Sequence, residues 1–289
     1  MLQLHALGSR IEVQGKGAER AAAEITRYEA LLTRFRPSPL TKLNSRGVLY
    51  QPDIDLVDAV GHALHVARQT GGLVTPAVLP ALEAAGYAGT LGERRGRPAA
   101  VPDTTSVICS PVLIRLPPGV RLDLGGTAKS WIAEKAFAHL TGDGYVNAGG
   151  DLYTRQSLPF AVEILRPFGG EPLFLECPAG TWGVATSSTL KRAWEGGHHL
   201  IDPRTALPLE SRFVQVTVIA ARLTAAEVLT KLAFLDTELL DKEMLLDTEK
   251  LSASQQQDAQ AYAFDRNGHF WARAKGEWLK VPDSDPDSD

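Results

Sequence analysis

"SVICSPVLIRLPPGVRLDLGGTAKSW", residues 106–131, carries the passage from strand to helix on which the reading of the fold rests. Its apolar residues flank Pro117-Pro118-Gly119, a pattern that predicts a hairpin turning at those three positions. The second strand is expected to run to Asp123, meet Gly125 and Gly126, and enter a helix near Lys129. Such a corner leaves backbone N–H groups at the helix start, where they and the helix dipole favour an anion. The spacing is neither GxGxxG nor a Walker A loop, so both nucleotide fingerprints fail. A tight turn with a solvated lysine is the plainer alternative.

Working outward, Ile25, Tyr28, Leu31, Leu32 and Phe35 fall at helical spacing within 17–36, and residues 53–72 predict a second helix closed by Gly71 and Gly72. A helix is expected from the opening corner to Gly142. Strand-like stretches follow at "YVNAGGDLY", "FAVEIL", "WGVATSS" and "FVQVTVIA", then a helix over 224–236 and a hairpin in "AYAFDRNGHFWARA". Strands mostly adjoin strands, which predicts an α+β fold with largely antiparallel or mixed sheets and several packed helices. Residues 1–281 are expected to form one domain, whether as a single body or as two interlocked lobes. "SASQQQDAQ" (252–260) reads as a loop, and 282–289, "PDSDPDSD", as a disordered acidic tail.

Composition narrows the function. The chain has 289 residues, 44% of them apolar, enough for a sizeable core. With 34 acidic and 30 basic residues the net charge is −4, which argues against a general nucleic-acid surface. No apolar run approaches the roughly 20 residues of a membrane span. The N-terminus lacks the pattern of a signal peptide, so a cytoplasmic location is expected, or a periplasmic or cell-surface one if a leader has been removed. Cys109 and Cys177 lack CxxC spacing and read as small apolar residues.

Four further stretches carry chemistry. "NAGGDLY" (147–153) is a second Gly-Gly corner, with Asn147 and Asp151 beside it; an ordinary turn has the same composition. "ATSSTLKRAW" (185–194) offers the hydroxyls of Thr186, Ser187 and Ser188, suited to phosphate or a flavin edge, and equally to a helix N-cap. "HHLIDPRTALP" (198–208) places two histidines before a rigid turn: one imidazole can serve as a general base, and Arg204 can clamp Asp202 or a phosphate. In "LTAAEVLTKLAF" (223–234), Glu227 and Lys231 stand four apart, which reads as an exposed helix ion pair worth a few tenths of a kcal/mol.

In this order and spacing these pieces, with "FRPSPLTKLN" (35–44), "GGLVTPAVLPALEAAGY" (71–87) and "VTVIA" (216–220), resemble the ApbE family of FAD:protein FMN transferases over nearly the whole chain. The resemblance implies an α+β fold. It also implies transfer of the FMN half of FAD to a Thr or Ser hydroxyl of a partner protein, through a phosphoester bond, with release of AMP. An FAD pyrophosphatase and a non-catalytic flavin-binding protein are the alternatives. Carried over, Asp123 and Lys129 would hold FAD, with Thr75, Val78, Asn147, Thr186, Ser187 and Ile201 around it. His199 would be the base. Gly126 stands where the family presents a metal-binding group, and the 71–87 segment would line the flavin pocket.

The chain departs from the family at three places. The family's second metal segment reads like A-D-A-L-S-T-A, whose Asp and Thr help bind Mg²⁺. Here Glu227 and Lys231 stand at those positions. A charged lysine has no lone pair for a metal. Lys231 is therefore expected to place its ammonium where the ion would sit, with a catalytic share in neutralising phosphate; Glu227 is the doubtful metal ligand. Thr75 replaces an Asp and is expected to alter the flavin pocket. Ala206 replaces a Gly, with loss of positive-φ tolerance and a reshaped turn expected.

Overall fold

The computed structural model describes residues 1–96, 99–235, 259–274 and 276–282. The expected loop residues 252–258 and tail residues 283–289 lie outside them.

A nine-stranded sheet organises the molecule. Its strands are β1 (Leu2–Ala6), β2 (Ser9–Lys16), β3 (Thr141–Ala148), β4 (Leu152–Gln156), β5 (Gly180–Ser188), β6 (Phe213–Ala220), β7 (Gln260–Asp265), β8 (Phe270–Ala274) and β9 (Glu277–Lys280). They lie in chain order, and every neighbouring pair is antiparallel. Among the described residues the α-helices are α1 (Ala18–Leu32), α2 (Pro39–Arg46), α3 (Ile54–Gln69), α4 (Leu79–Ala85), α5 (Ala128–Phe137) and α6 (Leu223–Phe234). All but α6 are inserted between β2 and β3. The α+β expectation, with largely antiparallel pairing, holds.

The main core packs α1, α5 and α6 on one face of the sheet, with α3 laid against α1 and α5. The opposite face is covered in part by the hairpin Phe160–Ile164/Leu173–Cys177, through Val162, Ile164 and Cys177. Strand β6 is therefore buried along its whole length, from Phe213 to Ala220. That explains why apolar residues sit on both of its faces, and why its two polar residues are hydrogen-bonded: Gln215 donates to the Leu165 carbonyl at 2.8 Å and Thr217 Oγ1 lies 2.9 Å from Thr186 Oγ1. Gly183 in β5 is required by packing: a Cβ there would collide with the backbone of Leu223 at the start of α6.

Several local expectations are corrected. The hairpin of the opening stretch pairs Ile108–Ser110 with Leu113–Arg115, so it turns at Pro111-Val112 rather than at Pro117-Pro118-Gly119. No strand leads into Asp123. Instead the Asn44 side chain brackets Leu122, its Oδ1 accepting from the Leu122 N–H at 2.7 Å and its Nδ2 donating to the Leu122 carbonyl at 2.8 Å. The Asp123 N–H donates to the Pro76 carbonyl at 2.8 Å. A side chain and a loop carbonyl thus supply what a neighbouring strand would. Helix α5 ends at Phe137, and Gly142 belongs to β3. Phe35 is not part of the α1 apolar stripe: α1 stops at Leu32, and Phe35 is 56% exposed.

Candidate functional site

Two Gly-Gly corners, the end of β5, the 71–87 segment and α6 converge on one cavity of about 1220 Å³, counted out to its open mouth. Asp123, Gly126, Lys129, Thr75, Val78, Thr186, Ser187, His199, Ile201, Glu227 and Lys231 all line it. Asn147 does not. Its Oδ1 accepts from the Gly150 N–H at 3.0 Å and holds the β3–β4 turn, where Gly149 and Gly150 take φ of 68° and 102°. The plain turn reading is the right one for that residue.

The opening corner is tied down from within. Asp123 ion-pairs with Arg34, whose Nε faces Oδ2 off the N–H axis, and its Oδ1 accepts from the Gly125 N–H at 2.7 Å. The side chains are only 5% (Arg34) and 11% (Asp123) exposed. Arg34 also donates to the carbonyls of Ala88 and Tyr87 and lies 4.3 Å and 4.6 Å from the ring centroids of Phe35 and Tyr87. Asp123 is thereby committed to shaping the corner. The helix start is also less free than the sequence suggests. The N–H groups of Gly125, Thr127, Ala128 and Ser130 are bonded inside the protein. Positive charge at this corner therefore comes chiefly from side chains.

Those side chains are Lys129, Lys191, Arg192 and Lys231. Lys129 ion-pairs with the buried Asp151, whose Oδ1 accepts from the Thr186 N–H at 3.2 Å. Burial pulls the Lys129 pKa down, but the Asp151 and Glu227 carboxylates outweigh it, so the ammonium is held above its ordinary value. For Lys231 burial wins: its pKa is lowered, with Glu227 opposing and Lys129 adding to the fall.

The Glu227–Lys231 pair is not exposed as the spacing suggested. The side chains are 4% (Glu227) and 16% (Lys231) accessible. The Lys231 ammonium lies 3.4 Å from Glu227 Oε1 and donates to the Glu227 carbonyl at 3.0 Å. Glu227 Oε2 accepts from both the N–H and the hydroxyl of Ser130, at the start of α5. Glu134 of α5 returns the arrangement, accepting from the Thr224 N–H at 2.8 Å at the start of α6. Each helix thus supplies the carboxylate that caps the other.

The three hydroxyls end β5 and form no helix cap. Thr186 Oγ1 lies 2.9 Å from Thr217 Oγ1, Ser187 Oγ lies 2.8 Å from Thr230 Oγ1, and Ser188 donates to the Val214 carbonyl at 3.0 Å. Thr75 accepts from the Ala77 N–H at 3.3 Å as an N-cap, the task an Asp performs equally well. Ala206 keeps φ at 59°, so the turn after Asp202 is preserved at the cost of strain instead of being reshaped. Arg204 clamps Asp202, Nε to Oδ1 at 2.9 Å and the outer nitrogen to Oδ2 at 2.7 Å.

The two histidines separate cleanly. His198 Nδ1 accepts from the Leu200 N–H at 3.3 Å, and the residue lies outside the cavity lining. His199 lines the cavity, and its buried Nδ1 has no protein partner among the described residues. Burial first, then Arg192, His198, Lys129 and Lys231, depress its pKa to about 3. The imidazole is neutral at pH 7 and keeps a lone pair.

Sequence reasoning passed over Lys191, Arg192 and Arg34. The Lys-Arg pair directly after three hydroxyls was the available signal for the first two. Nothing local marks Arg34, whose partner Asp123 is distant in sequence.

The ApbE family model matches residues 7–251. The FAD:protein FMN transferase of Klebsiella pneumoniae (strain 342) is 30% identical over 126 residues, 40% of this chain and 39% of that protein. That of Rhodobacter capsulatus is 28% identical over 261 residues, 75% of this chain and 47% of that protein. The chain thus spans less than half the length of these curated relatives. Among solved structures, the ApbE protein of Thermotoga maritima superposes with a TM-score of 0.74 at 22% identity, covering 93% of this chain and 95% of its own. The flavinyl transferase ApbE of Pseudomonas stutzeri gives 0.70 at 16% identity, over 97% and 93%. These structural likenesses establish the shared fold. With a family match over most of its length, the chain belongs to the ApbE family.

Proposed function

We propose that this chain cleaves FAD at its diphosphate and transfers the FMN half to a Thr or Ser hydroxyl of a partner protein, releasing AMP. The observation that carries this reading is the convergence of Lys129, Arg192, Lys231 and His199 on one cavity beside the Gly125-Gly126 corner. The acceptor oxygen forms a bond to the phosphorus of the FMN half. The bond from that phosphorus to the bridging oxygen breaks, and AMP leaves with the electron pair. The hydroxyl proton passes to His199. Positioning and charge neutralisation supply most of the rate in such chemistry.

His199 suits the base role because it is neutral before substrate arrives. Three of the groups depressing its pKa are the cations Arg192, Lys129 and Lys231. A bound diphosphate neutralises those cations and raises the imidazole's basicity where it is needed. The side chains of Phe35, Leu73, Val78 and Tyr87 offer an apolar and aromatic wall for a planar ring.

The family implies a Mg²⁺ ion, and the residues here do not fit one. Glu227 is committed to Ser130 and Lys231, and an ammonium group stands where an oxygen ligand is needed. Among the described residues no group of three or more His, Cys, Asp or Glu could hold a metal. The cations of the chain itself carry the charge neutralisation.

Incubation with FAD and Thr-containing acceptor proteins tests the reading. The expected products are AMP and a flavin-labelled acceptor, read by chromatography and in-gel fluorescence. AMP with free FMN alone would indicate a pyrophosphatase instead. Unchanged, bound FAD would indicate a binding protein.

A further inference from the structure

We propose that the Lys231 ammonium is a built-in replacement for the divalent cation, so that this chain binds and neutralises the FAD diphosphate without metal. The inference rests on the flavin-transferase reading and deepens it.

Three observations support it. First, Lys231 is seated at the corner where the diphosphate is placed: its Cε lies 3.4 Å from the position a Cβ on Gly126 would take. The lysine stem therefore runs within van der Waals range of the Gly126 corner. Second, Glu227 fixes the head group. Two of the three ammonium donors face the Glu227 carbonyl and Oε1, and the third has no protein partner among the described residues. Being 16% accessible, Lys231 is held near one position and remains open to the cavity.

Third, the charges balance without an ion. Among the described residues, the carboxylates that line the cavity or pair with a lysine that does are Asp123, Asp151 and Glu227, and each faces its own cation, Arg34, Lys129 or Lys231. Lys191 and Arg192 line the same cavity with no carboxylate in ion-pair range among the described residues. Among the described residues the surplus is two positive charges, Lys191 and Arg192, which matches the two negative charges of an FAD diphosphate. A divalent cation would add two more beside Lys231, where no carboxylate among the described residues remains uncommitted to receive it.

The deciding measurement is FAD affinity, read by flavin fluorescence and calorimetry, for the wild-type chain in EDTA and in millimolar Mg²⁺. The expected result is the same affinity within about twofold. Affinity that falls tenfold or more in EDTA would overturn the inference while leaving the flavin-transferase reading intact. No FAD binding in either buffer would overturn that reading itself. The paired variant Lys231→Met with Glu227→Gln removes one positive and one negative charge together and retains the shape of both side chains. It is expected to bind FAD about tenfold more weakly, with or without Mg²⁺, as for the loss of one charge-assisted hydrogen bond. Wild-type affinity in a folded paired variant would overturn the inference; if that variant fails to fold, the wild-type comparison decides alone.

Discussion

Glu227 Oε2, on α6, accepts from both the backbone N–H and the hydroxyl of Ser130, the third residue of α5. The same carboxylate faces the Lys231 ammonium through its other oxygen. One buried group therefore caps a helix and anchors a cation. Removing it as Glu227→Ala strands the Lys231 charge and the Ser130 N–H, while the Ser130 hydroxyl keeps the Thr127 carbonyl as acceptor, and should cost about 3–5 kcal/mol of stability. Glu227→Gln keeps an acceptor for Ser130 and should cost clearly less. Denaturant midpoints of the two variants against wild type check the order; equal losses would show that the cap contributes little.

Lys231→Ala should be destabilising for the same reason, because Glu227 is left buried without its cation. The loss expected is again a few kcal/mol, far above the few tenths of an exposed helix pair. Thermal melts of Lys231→Ala and of the Lys231→Met, Glu227→Gln pair give the comparison. The pair should be the more stable of the two.

The burial of this ion pair marks the boundary of what was legible in the sequence. The order of motifs and the antiparallel α+β fold could be read, and every site residue singled out except Asn147 lines the cavity, because glycines, turn residues and apolar runs mark element ends locally. The i,i+4 spacing of Glu227 and Lys231 was visible too, but its burial was not. Burial depends on α5 lying alongside α6, a contact between segments far apart in the chain. The hairpin turn was misplaced for a related reason. Pro117-Pro118-Gly119 carries the stronger turn composition, yet the segment after it is bracketed by Asn44, which no local pattern foretells.

That bracket gives a separate prediction. Asn44→Ala removes both hydrogen bonds to Leu122 and leaves its N–H and carbonyl unpaired. A loss of about 1–3 kcal/mol is expected. Because Leu122 precedes Asp123, FAD affinity should fall as well, even though Asn44 does not line the cavity. A variant with reduced stability and unchanged FAD affinity would show that the corner is held by Arg34 and Pro76 alone.

His199 gives a pH signature. Its pKa lies at about 3 in the folded chain, against 6.5 ordinarily, so the folded state binds the proton less readily than the unfolded one. Its contribution to stability is full above about pH 6.5 and is lost as pH falls towards 3. His199→Ala should therefore show a shallower acid loss over that window than wild type. The ring resonances of His199 should report a neutral imidazole at pH 5, and bound FAD should move its titration upward. The same variant should release AMP about 10²–10⁴-fold more slowly with little change in FAD affinity. Transfer at the wild-type rate would remove His199 from the base role.

Restoring the family's oxygen ligands should install a metal requirement. In the variant Glu227→Asp with Lys231→Thr, the ammonium leaves the Gly126 corner and two hard oxygen donors face it instead. The cavity then has one cation fewer than wild type and one uncommitted carboxylate, since the shortened side chain at position 227 loses its lysine. FAD binding should weaken in EDTA, because the diphosphate meets that carboxylate without compensation. Added Mg²⁺ should recover about tenfold or more of the affinity, and Ca²⁺ less, because Mg²⁺ favours compact octahedral oxygen sites shared with phosphates. Calorimetric titration of the folded variant with FAD across Mg²⁺ concentrations gives the result directly. A variant whose FAD affinity ignores Mg²⁺ would mean that residues 227 and 231 do not by themselves decide between an ammonium and an ion at this corner.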